Sequence, residues 1–252
     1  MENLFLRGQD FFTGRVLKNA GIGGCLWEGA RFLLAELPAA RGAVRRILPP
    51  GLLPTRPPAL TVFIAEYPRT AFTVPYREAA VLVHVRTLLG EGVHCCWMVV
   101  DDDTALIYGR ELLGYPKKLA AIRFEESGEG ISAFVERRGV RVLEMRGKRG
   151  EAQVSPPPVF GRKTFNVGGI GQAFAVSPLW LLRPREVIHE SYEAEVEVAM
   201  RPSGYDPIAE LAAGEPRSGR IAVTDIPGTD YLLPVGAAGP FWLNRVFALR
   251  FR

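Results

Sequence analysis

The sequence has few of the residues that build disulfide frameworks and metal sites. Its 252 residues include three cysteines and three histidines. Cys95 and Cys96 are adjacent in an apolar stretch, and an odd number of cysteines is not typical of a disulfide scaffold. The histidines are far apart in the chain and match no metal-ligand spacing. We therefore expect neither a disulfide framework nor a metal site.

Long apolar runs and strong charge of one sign are also missing. No run of about 18 apolar residues occurs, so no membrane-spanning helix is expected. The first residues lack the apolar stretch of a secretion signal, which predicts a cytoplasmic protein. The net charge is only +4, and no basic stripe is interleaved with aromatic residues, so we do not expect nucleic-acid binding.

The residues that are present are those of a globular protein with a sizeable core. Hydrophobic residues make up 48% of the chain and charged residues 23%. There is no internal repeat, low-complexity linker or break in charge. The sequence therefore predicts a single domain over residues 1–252.

Strand patterns dominate from Leu60 onward. Apolar and β-favouring runs alternate with glycine-rich or polar turns, which is typical of antiparallel sheets. The predicted fold is mainly β (α+β), curled around an interior, with a few short helices. Strands are predicted over Leu60–Ala65, Ala79–Arg86, Val93–Val100, Thr104–Tyr108, Leu119–Phe124, Ile131–Glu136, Val140–Met145, Val187–Met200, Arg220–Asp225, Thr229–Leu233 and Phe241–Phe251.

Helices and turns are predicted at fewer places. Residues 38–48 form the clearest early helix, and the proline and glycine that follow would end it. A second short helix is predicted over Asp206–Ala213, with an aspartate–proline start. Asp101–Asp103 is interpreted as a polar hairpin turn. Residues 1–30 are predicted to be irregular because glycines interrupt them.

The segment Gly109–Leu119 carries the most informative feature, an adjacent pair of lysines. Lys117 and Lys118 follow a proline and stand between apolar segments. One interpretation is a basic turn between strands, since charged runs usually mark solvated faces. The other is that Lys117 is an amine with a lowered pKa that attacks a carbonyl, because lysines near apolar segments are rarely buried without compensation.

The sizes of two effects on the lysine pKa, that of a neighbouring charge and that of burial, decide what would activate such an amine. An unperturbed lysine has a pKa near 10.4, so it is almost fully protonated and inert at neutral pH. A second ammonium about 4 Å away contributes only ~1 kcal/mol in a water-like medium. Burial in an apolar pocket lowers a lysine pKa by up to ~3–5 units. Desolvation therefore has to dominate. Because adjacent side chains of a strand point to opposite faces, Lys118 is expected to lie away from the pocket.

An iminium on such a lysine withdraws the electrons of a breaking carbon–carbon bond. A β-keto acid would lose carbon dioxide in this way, and water would then release a ketone. The chemistry needs an amine, a desolvated pocket and an acid or base, and it requires neither a metal nor an organic cofactor.

The residues around the pair resemble the active-site signature of acetoacetate decarboxylases. Gly109-Arg110-Glu111-Leu112 is followed, after two residues, by Tyr115-Pro116-Lys117-Lys118-Leu119. The resemblance implies that Lys117 forms the Schiff base and that Lys118 perturbs it. It also implies a functional glutamate upstream, and Glu78 fits that position. The implied fold is a cone-like, largely antiparallel β-barrel, and the implied assembly is a homo-oligomer that takes a small keto acid.

Two other positions depart from that family. A further functional glutamate of the family falls on Phe63 in this sequence, and Glu66 would take its place only with a register shift of three. A family arginine near the N-terminus falls on Arg31 or, about equally well, on Ala30. The imine-forming residues are thus present, whereas the groups that position a small keto acid differ.

Several alternatives remain open from the sequence. Glu78 is either an acid or base for the lysine, or a salt-bridge partner of Arg77 or Arg110. Arg110 and Glu111 are expected to brace the loop by pairing, because charges near an apolar barrel need partners. Tyr115 either lines the pocket or packs in the core.

The function itself is open in the same way. The leading hypothesis is a cofactor-independent lyase, with decarboxylation of an acetoacetate-like β-keto acid as its reaction. The alternatives are an aldolase or dehydratase that uses the same imine on a pyruvate-like substrate, a non-catalytic barrel that binds a small molecule, and a structural subunit.

Overall fold

Strands make up most of the chain. The protein's computed structural model describes residues 25–169, 171–172 and 176–252. Within these residues, one sheet contains 13 strands. They are Trp27–Pro38 (β1), Leu53–Pro54 (β2), Ala59–Tyr67 (β3), Arg69–Thr70 (β4), Tyr76–Thr87 (β5), Gly90–Val100 (β6), Lys117–Leu119 (β7), Ala121–Ser127 (β8), Gly130–Arg137 (β9), Val140–Ala152 (β10), Thr164–Val167 (β11), Ser177–Met200 (β12) and Ser218–Ala238 (β13).

The helices are short and few in the described part of the chain. They are Arg41–Ile47 (α1), Asp103–Leu113 (α2), Pro240–Arg245 (α3), Phe247–Arg250 (α4) and a 3₁₀ helix over Ile208–Leu211. The predicted mainly β fold with a few short helices is therefore confirmed. The helix predicted over residues 38–48 is present as α1.

The strand pairings return to their starting point. From β11 the order runs through β6, β5, β3, β1 and β13 to β12, which pairs with β11 again. Strands β10, β9 and β8 extend the sheet beyond β12. The pairings are antiparallel except that β6 runs parallel to β7 and β11. A sheet that closes on itself encloses an interior, as the cone-like expectation requires.

Alternating residues of the same strands belong to two different cores. Leu33 and Ile64 pack in the larger cluster. Phe32 and Phe63, one position earlier on the same strands, pack in the second cluster. This division follows from the two-residue period of a strand. The second cluster is rich in aromatic rings and lies next to the cavity described below.

The predicted strand over Thr104–Tyr108 is wrong, because these residues belong to α2. The Asp102 carboxylate accepts a hydrogen bond from the Ala105 backbone N–H at 2.7 Å, which caps the start of the helix. Gly114, with φ of 71°, ends the helix in the left-handed conformation. The acidic segment Asp101–Asp103 therefore begins a helix and does not form a hairpin turn.

The strand predicted at the C-terminal end of the sequence is also wrong. Phe241–Phe251 is not a strand but contains α3 and α4, and Pro240 occupies the first turn of α3, where its missing N–H costs nothing. The helix predicted over Asp206–Ala213 is reduced to the 3₁₀ helix. Asp206 does not cap that helix with its side chain, because its carboxylate is bound elsewhere.

Two remaining predictions concern boundaries. The segments Arg220–Asp225 and Thr229–Leu233 are parts of the single strand β13. The irregular segment predicted over residues 1–30 lies largely outside the described residues, and from Trp27 onward it belongs to β1. No helix in the described ranges is long and apolar enough to span a membrane.

Candidate active site

Strand β7 places the two lysines on opposite sides of the sheet. It pairs in parallel with β6, so that Met98 is opposite Lys117 and Val99 is opposite Lys118. Adjacent side chains of a strand alternate in direction. Lys117 accordingly lines a cavity, whereas the Lys118 ammonium is bound to residues outside the lining of that cavity.

The ammonium of Lys117 is paired with Glu78. Its Nζ lies 2.6 Å from Glu78 Oε2, and each side chain is only 5% exposed. The pairing of strands explains the contact, because β6 lies between β5, which carries Glu78, and β7. The structure thus brings together the two residues that the sequence singles out. Glu78 is paired with Lys117 and not with Arg77 or Arg110.

Tyrosine side chains complete the surroundings of this ion pair. Tyr67 donates a hydrogen bond from its hydroxyl to Glu78 Oε1 at 3.2 Å. Burial, reinforced by the Glu78 charge, raises the pKa of Tyr67 well above its ordinary value, so the hydroxyl keeps its proton and remains a donor. The Tyr76 ring stacks on Tyr67 with centroids 4.7 Å apart, and Lys117 Nζ lies 5.6 Å from its centroid. Buried charges of this kind depend on such partners.

The lysine and glutamate open onto a cavity of about 300 Å³. Most of its wall is apolar or aromatic, and Tyr115 is part of it. Among the lining residues the charged ones are Glu78, Lys117 and Asp230. The full lining is Leu26, Trp27, Tyr67, Tyr76, Glu78, Met98, Tyr108, Gly109, Leu112, Leu113, Tyr115, Lys117, Phe160, Leu182, Pro184, Ile226, Gly228, Thr229, Asp230, Tyr231 and Leu232.

Helix α2 approaches the lysine so closely that only glycine fits at its contact point. A Cβ atom at Gly109 would lie 2.4 Å from Lys117 Cε and 2.6 Å from Cδ. Real Cβ atoms essentially never come this close to another heavy atom. Gly109 is therefore required for the observed position of the amine, a role that its place in the sequence motif did not reveal.

Arg110 braces the loop, but through backbone carbonyls. Its Nη1 donates to the Lys117 carbonyl at 2.9 Å and to the Arg250 carbonyl at 3.1 Å. Neighbouring Glu111 is exposed. The expected pairing of Arg110 with Glu111 is not among the ion pairs of the described residues. The contact instead ties the C-terminal helix α4 to the strand that carries the lysines.

Lys118 is held by Asp206, a residue that the sequence did not indicate. Its Nζ lies 2.5 Å from Asp206 Oδ1 and donates to the Ala248 carbonyl at 3.1 Å. Asp206 also accepts from Trp97 Nε1 at 2.7 Å and from Arg137 Nη1 at 2.9 Å. The carboxylate therefore serves two buried cations and an indole.

Opposing effects of burial and of charged partners set the pKa values of Lys118 and Asp206. Burial lowers the pKa of Lys118 to about 8, even though Asp206 acts in the other direction. Burial also acts to raise the pKa of Asp206, but hydrogen bonds from Lys118 and Trp97, with the charge of Lys118, outweigh it and hold that pKa below its ordinary value.

At each of the two positions that depart from the resembled family, the charged residue and the apolar residue lie on opposite faces of their strand. Arg31 pairs with Glu66 and, at 3.1 Å, with Glu126. Neither Arg31 nor Glu66 lines the cavity. Ala30 and Phe63 belong to the aromatic interior cluster. Neither charged residue thus takes the place of a family site residue inside the cavity.

Similar solved structures define the class of fold. The acetoacetate decarboxylase of Legionella pneumophila has a TM-score of 0.71 and 17% identity, with 86% of this chain and 87% of that chain covered. The enduracididine biosynthesis enzyme MppR, complexed with pyruvate, has a TM-score of 0.67 and 16% identity, with 81% and 88% covered. At these identities the likeness concerns the fold, which is that of acetoacetate decarboxylase-like enzymes.

The sequence then gives the family. The family described as acetoacetate decarboxylase matches residues 24–232, so the chain belongs to the acetoacetate decarboxylase family. A curated relative, Decarboxylase DEC1 of Cochliobolus heterostrophus, is 31% identical over 104 residues. That match spans 39% of this chain and 39% of the relative.

Proposed function

We propose that this protein is a cofactor-independent lyase that decarboxylates a β-keto acid through a Schiff base on Lys117. One observation carries the proposal. The Lys117 amine is buried at the wall of an apolar cavity, 2.6 Å from the carboxylate of Glu78. In this proposal Lys117 is the nucleophile and Glu78 is its base, and their short distance in a desolvated pocket supports these roles.

Activation begins with proton transfer from the Lys117 ammonium to Glu78. The neutral amine then adds to the keto carbon of the substrate, and the resulting carbinolamine loses water to give an iminium. Glu78 returns the proton that makes the hydroxyl a leaving group. Tyr67 holds the Glu78 carboxyl in place through its hydrogen bond.

Bond cleavage follows from the iminium. The bond between the α-carbon and the carboxylate breaks, carbon dioxide leaves, and the electron pair moves into the iminium to give an enamine. The α-carbon then takes a proton from solvent water, and addition of water to the regenerated iminium releases the ketone and returns Lys117 as an ammonium beside the Glu78 carboxylate. An apolar wall favours the cleavage step, because the negative charge leaves the carboxylate as neutral carbon dioxide forms.

Lys118 is proposed to act from the other side of β7. Its ammonium would raise the positive potential behind Lys117, while Asp206 fixes its position and offsets part of its charge. Lys118 is in this scheme a positioning and electrostatic residue and does not touch the substrate.

The composition of the cavity favours decarboxylation over an aldol or dehydration reaction. A pyruvate-like substrate keeps its carboxylate throughout the reaction and needs a lasting cationic partner. Lys117 is the one cation in the described lining, and it is converted into the imine. A β-keto acid has no such need because its carboxylate leaves. MppR was nevertheless solved with pyruvate, so an aldolase or dehydratase is the second candidate.

Trapping experiments test the proposal. Borohydride added with acetoacetate is expected to fix a covalent adduct on the peptide that contains Lys117, read by mass spectrometry. Lys117→Met should abolish the adduct, whereas Lys148→Met, at an exposed lysine, should leave it unchanged. Release of carbon dioxide separates decarboxylation from the aldol alternative. A wild-type protein without an adduct would support the non-catalytic binding barrel.

The assembly and location of the protein remain predictions. Membership of the family favours a homo-oligomer. Light scattering coupled to size-exclusion chromatography measures the assembly directly, since a particle of 27.7 kDa would be a monomer.

A further inference from the structure

The cavity wall beyond the lysine is built from aliphatic side chains. They come from helix α2, from strands β12 and β13, and from the residues before β1. Leu112 and Leu113 lie at the end of α2, and Leu182, Ile226 and Leu232 lie on the two long strands. None of these side chains offers a hydrogen bond to a ligand. A polar or hydroxylated group placed against these five side chains would lose hydration without gaining partners.

Aromatic rings fill the interior next to this wall. The Phe63 ring lies 5.7 Å from that of Phe32 and 5.3 Å from that of Phe160, measured between centroids. Phe160 is itself part of the cavity wall. Phe63 is the position where the resembled family carries a glutamate. The interior of the cone is therefore apolar at that position as well.

Asp230, the charged lining residue other than Lys117 and Glu78, is already paired. Asp230 lies 3.6 Å from Arg185 and 3.9 Å from Arg183, and its side chain is 36% exposed. Both arginines are outside the lining. Within the described lining, Lys117 is thus the one side chain that attracts a substrate anion, and a second anionic group on the substrate has no cationic partner.

The volume of the cavity exceeds what a four-carbon keto acid requires. Its roughly 300 Å³ lies at the lower end of the range of about 300–1,000 Å³ for pockets that enclose drug-sized ligands. A small substrate would leave most of the aliphatic wall in contact with water. Space, apolar lining and a single reactive charge together describe a site for a longer molecule.

We propose that the substrate is a β-keto acid with a linear aliphatic chain of several carbons, and that this chain packs against Leu112, Leu182 and Ile226. The inference rests on the proposed function, because it places the keto carbon at Lys117. Burial of one methylene contributes about 0.8 kcal/mol, so each added methylene should raise kcat/KM about fourfold until the cavity is full.

A chain-length series tests this directly. Carbon dioxide release would be measured with 3-oxo acids of four, six, eight and ten carbons. We expect kcat/KM to rise by at least tenfold from the four-carbon acid to the best longer one. Activity that is highest with the four-carbon acid, or equal along the series, would overturn the inference and leave the imine mechanism intact.

A cavity-filling variant adds a structural test. Leu112→Trp, on the half-buried surface of α2, should move the optimum toward shorter acids and lower the ratio of kcat/KM for the eight-carbon acid to that for the four-carbon acid by at least tenfold. Leu233→Trp is the matched control, because Leu233 is 50% exposed and outside the lining. An unchanged optimum in Leu112→Trp would contradict the assigned chain site.

Binding without chemistry separates the two proposals. In Lys117→Met, 2-nonanone and acetone can be compared through the fluorescence of Trp27, which lines the cavity. Tighter binding of 2-nonanone by at least tenfold supports the aliphatic site even if no acid is trapped or decarboxylated, in which case only the proposed reaction fails. Equal binding of the two ketones would count against the aliphatic site.

Discussion

Lys118 Nζ lies 2.5 Å from Asp206 Oδ1, although 88 residues separate them in the chain. The pair lies on the side of β7 that faces away from the cavity. Two lysines that are adjacent in sequence are therefore neutralised by carboxylates from different elements, Lys117 by Glu78 and Lys118 by Asp206. Because each lysine has its own carboxylate partner, substitutions can test the two lysines separately.

Removing the charge of Asp206 should destabilise the fold strongly. Asp206→Asn leaves the buried cations of Lys118 and Arg137 without their carboxylate, and an uncompensated buried charge costs about 3–5 kcal/mol. Urea denaturation at pH 7 measures the loss. Glu28→Gln is the control, because it removes an exposed pair with Arg69 that should contribute about 0–1 kcal/mol. Equal effects of the two variants would contradict the assigned role of Asp206.

The ionisation of Lys118 should appear in the pH dependence of stability. Burial holds its folded-state pKa at about 8, below the unfolded value. Between about pH 8 and pH 10.4 the unfolded chain therefore binds more protons, and the free energy of unfolding rises with pH. The rise is on the order of 3 kcal/mol, at about 1.36 kcal/mol per pKa unit.

Variants isolate this contribution from that of other titrating groups. Lys118→Met should lose the rise between pH 8 and pH 10.4, and Lys148→Met should keep it, as followed by urea denaturation at several pH values. The same pH profile in wild type and Lys118→Met would show that Lys118 is not the group responsible.

A single methyl group at Gly109 should displace the amine. In Gly109→Ala the new Cβ would lie 2.4 Å from Lys117 Cε, and the flexible lysine side chain has to move. Because a misplacement of about 1 Å can cost about 100-fold in rate, we expect kcat to fall by about that factor while the protein remains folded. Steady-state kinetics and thermal unfolding measure the two quantities.

The control for this variant lies in another helix. Gly42 is inside α1 and a Cβ there has no heavy atom within 4 Å. Gly42→Ala should stabilise the protein by about 0.5–1 kcal/mol and leave activity unchanged. If Gly109→Ala were as active as Gly42→Ala, the close approach would have no functional role.

Glu78 should be required for the proton transfers and not merely for folding. Glu78→Gln removes the base next to Lys117, and general acid–base catalysis typically contributes about 10²–10⁴-fold. We expect kcat to fall within that range and borohydride trapping to slow. Glu66→Gln, on the opposite face of the neighbouring strand, should retain activity, since Glu66 pairs with Arg31 and Arg77 outside the cavity. A fully active Glu78→Gln would refute the role proposed for this carboxylate.

Local patterns in the sequence were sufficient for the class of fold but not for every element. Strands such as β3 and β5 follow from β-favouring apolar runs. Residues Leu106–Tyr108 also favour a strand by composition, yet they form a helix because Asp102 caps its start and Gly114 ends it. These contacts at the two ends of the helix depend on backbone geometry, which the composition of the segment does not predict. The same limit applies to the two C-terminal helices.

The sequence by itself singled out Lys117 and Glu78, because the lysine motif and the upstream glutamate follow each other along the chain in a recognisable order. Only the tertiary structure decided the partners and the shape of the site. Asp206 reaches Lys118 from a distant loop, and Gly109 contacts the lysine stem from α2. Phe63 lies in the aromatic interior cluster, whereas Glu66 is on the opposite face of β3, paired with Arg31 and Arg77. These relationships depend on which strands pair and in which register, and a register of long-range contacts is set by the packing of the whole sheet.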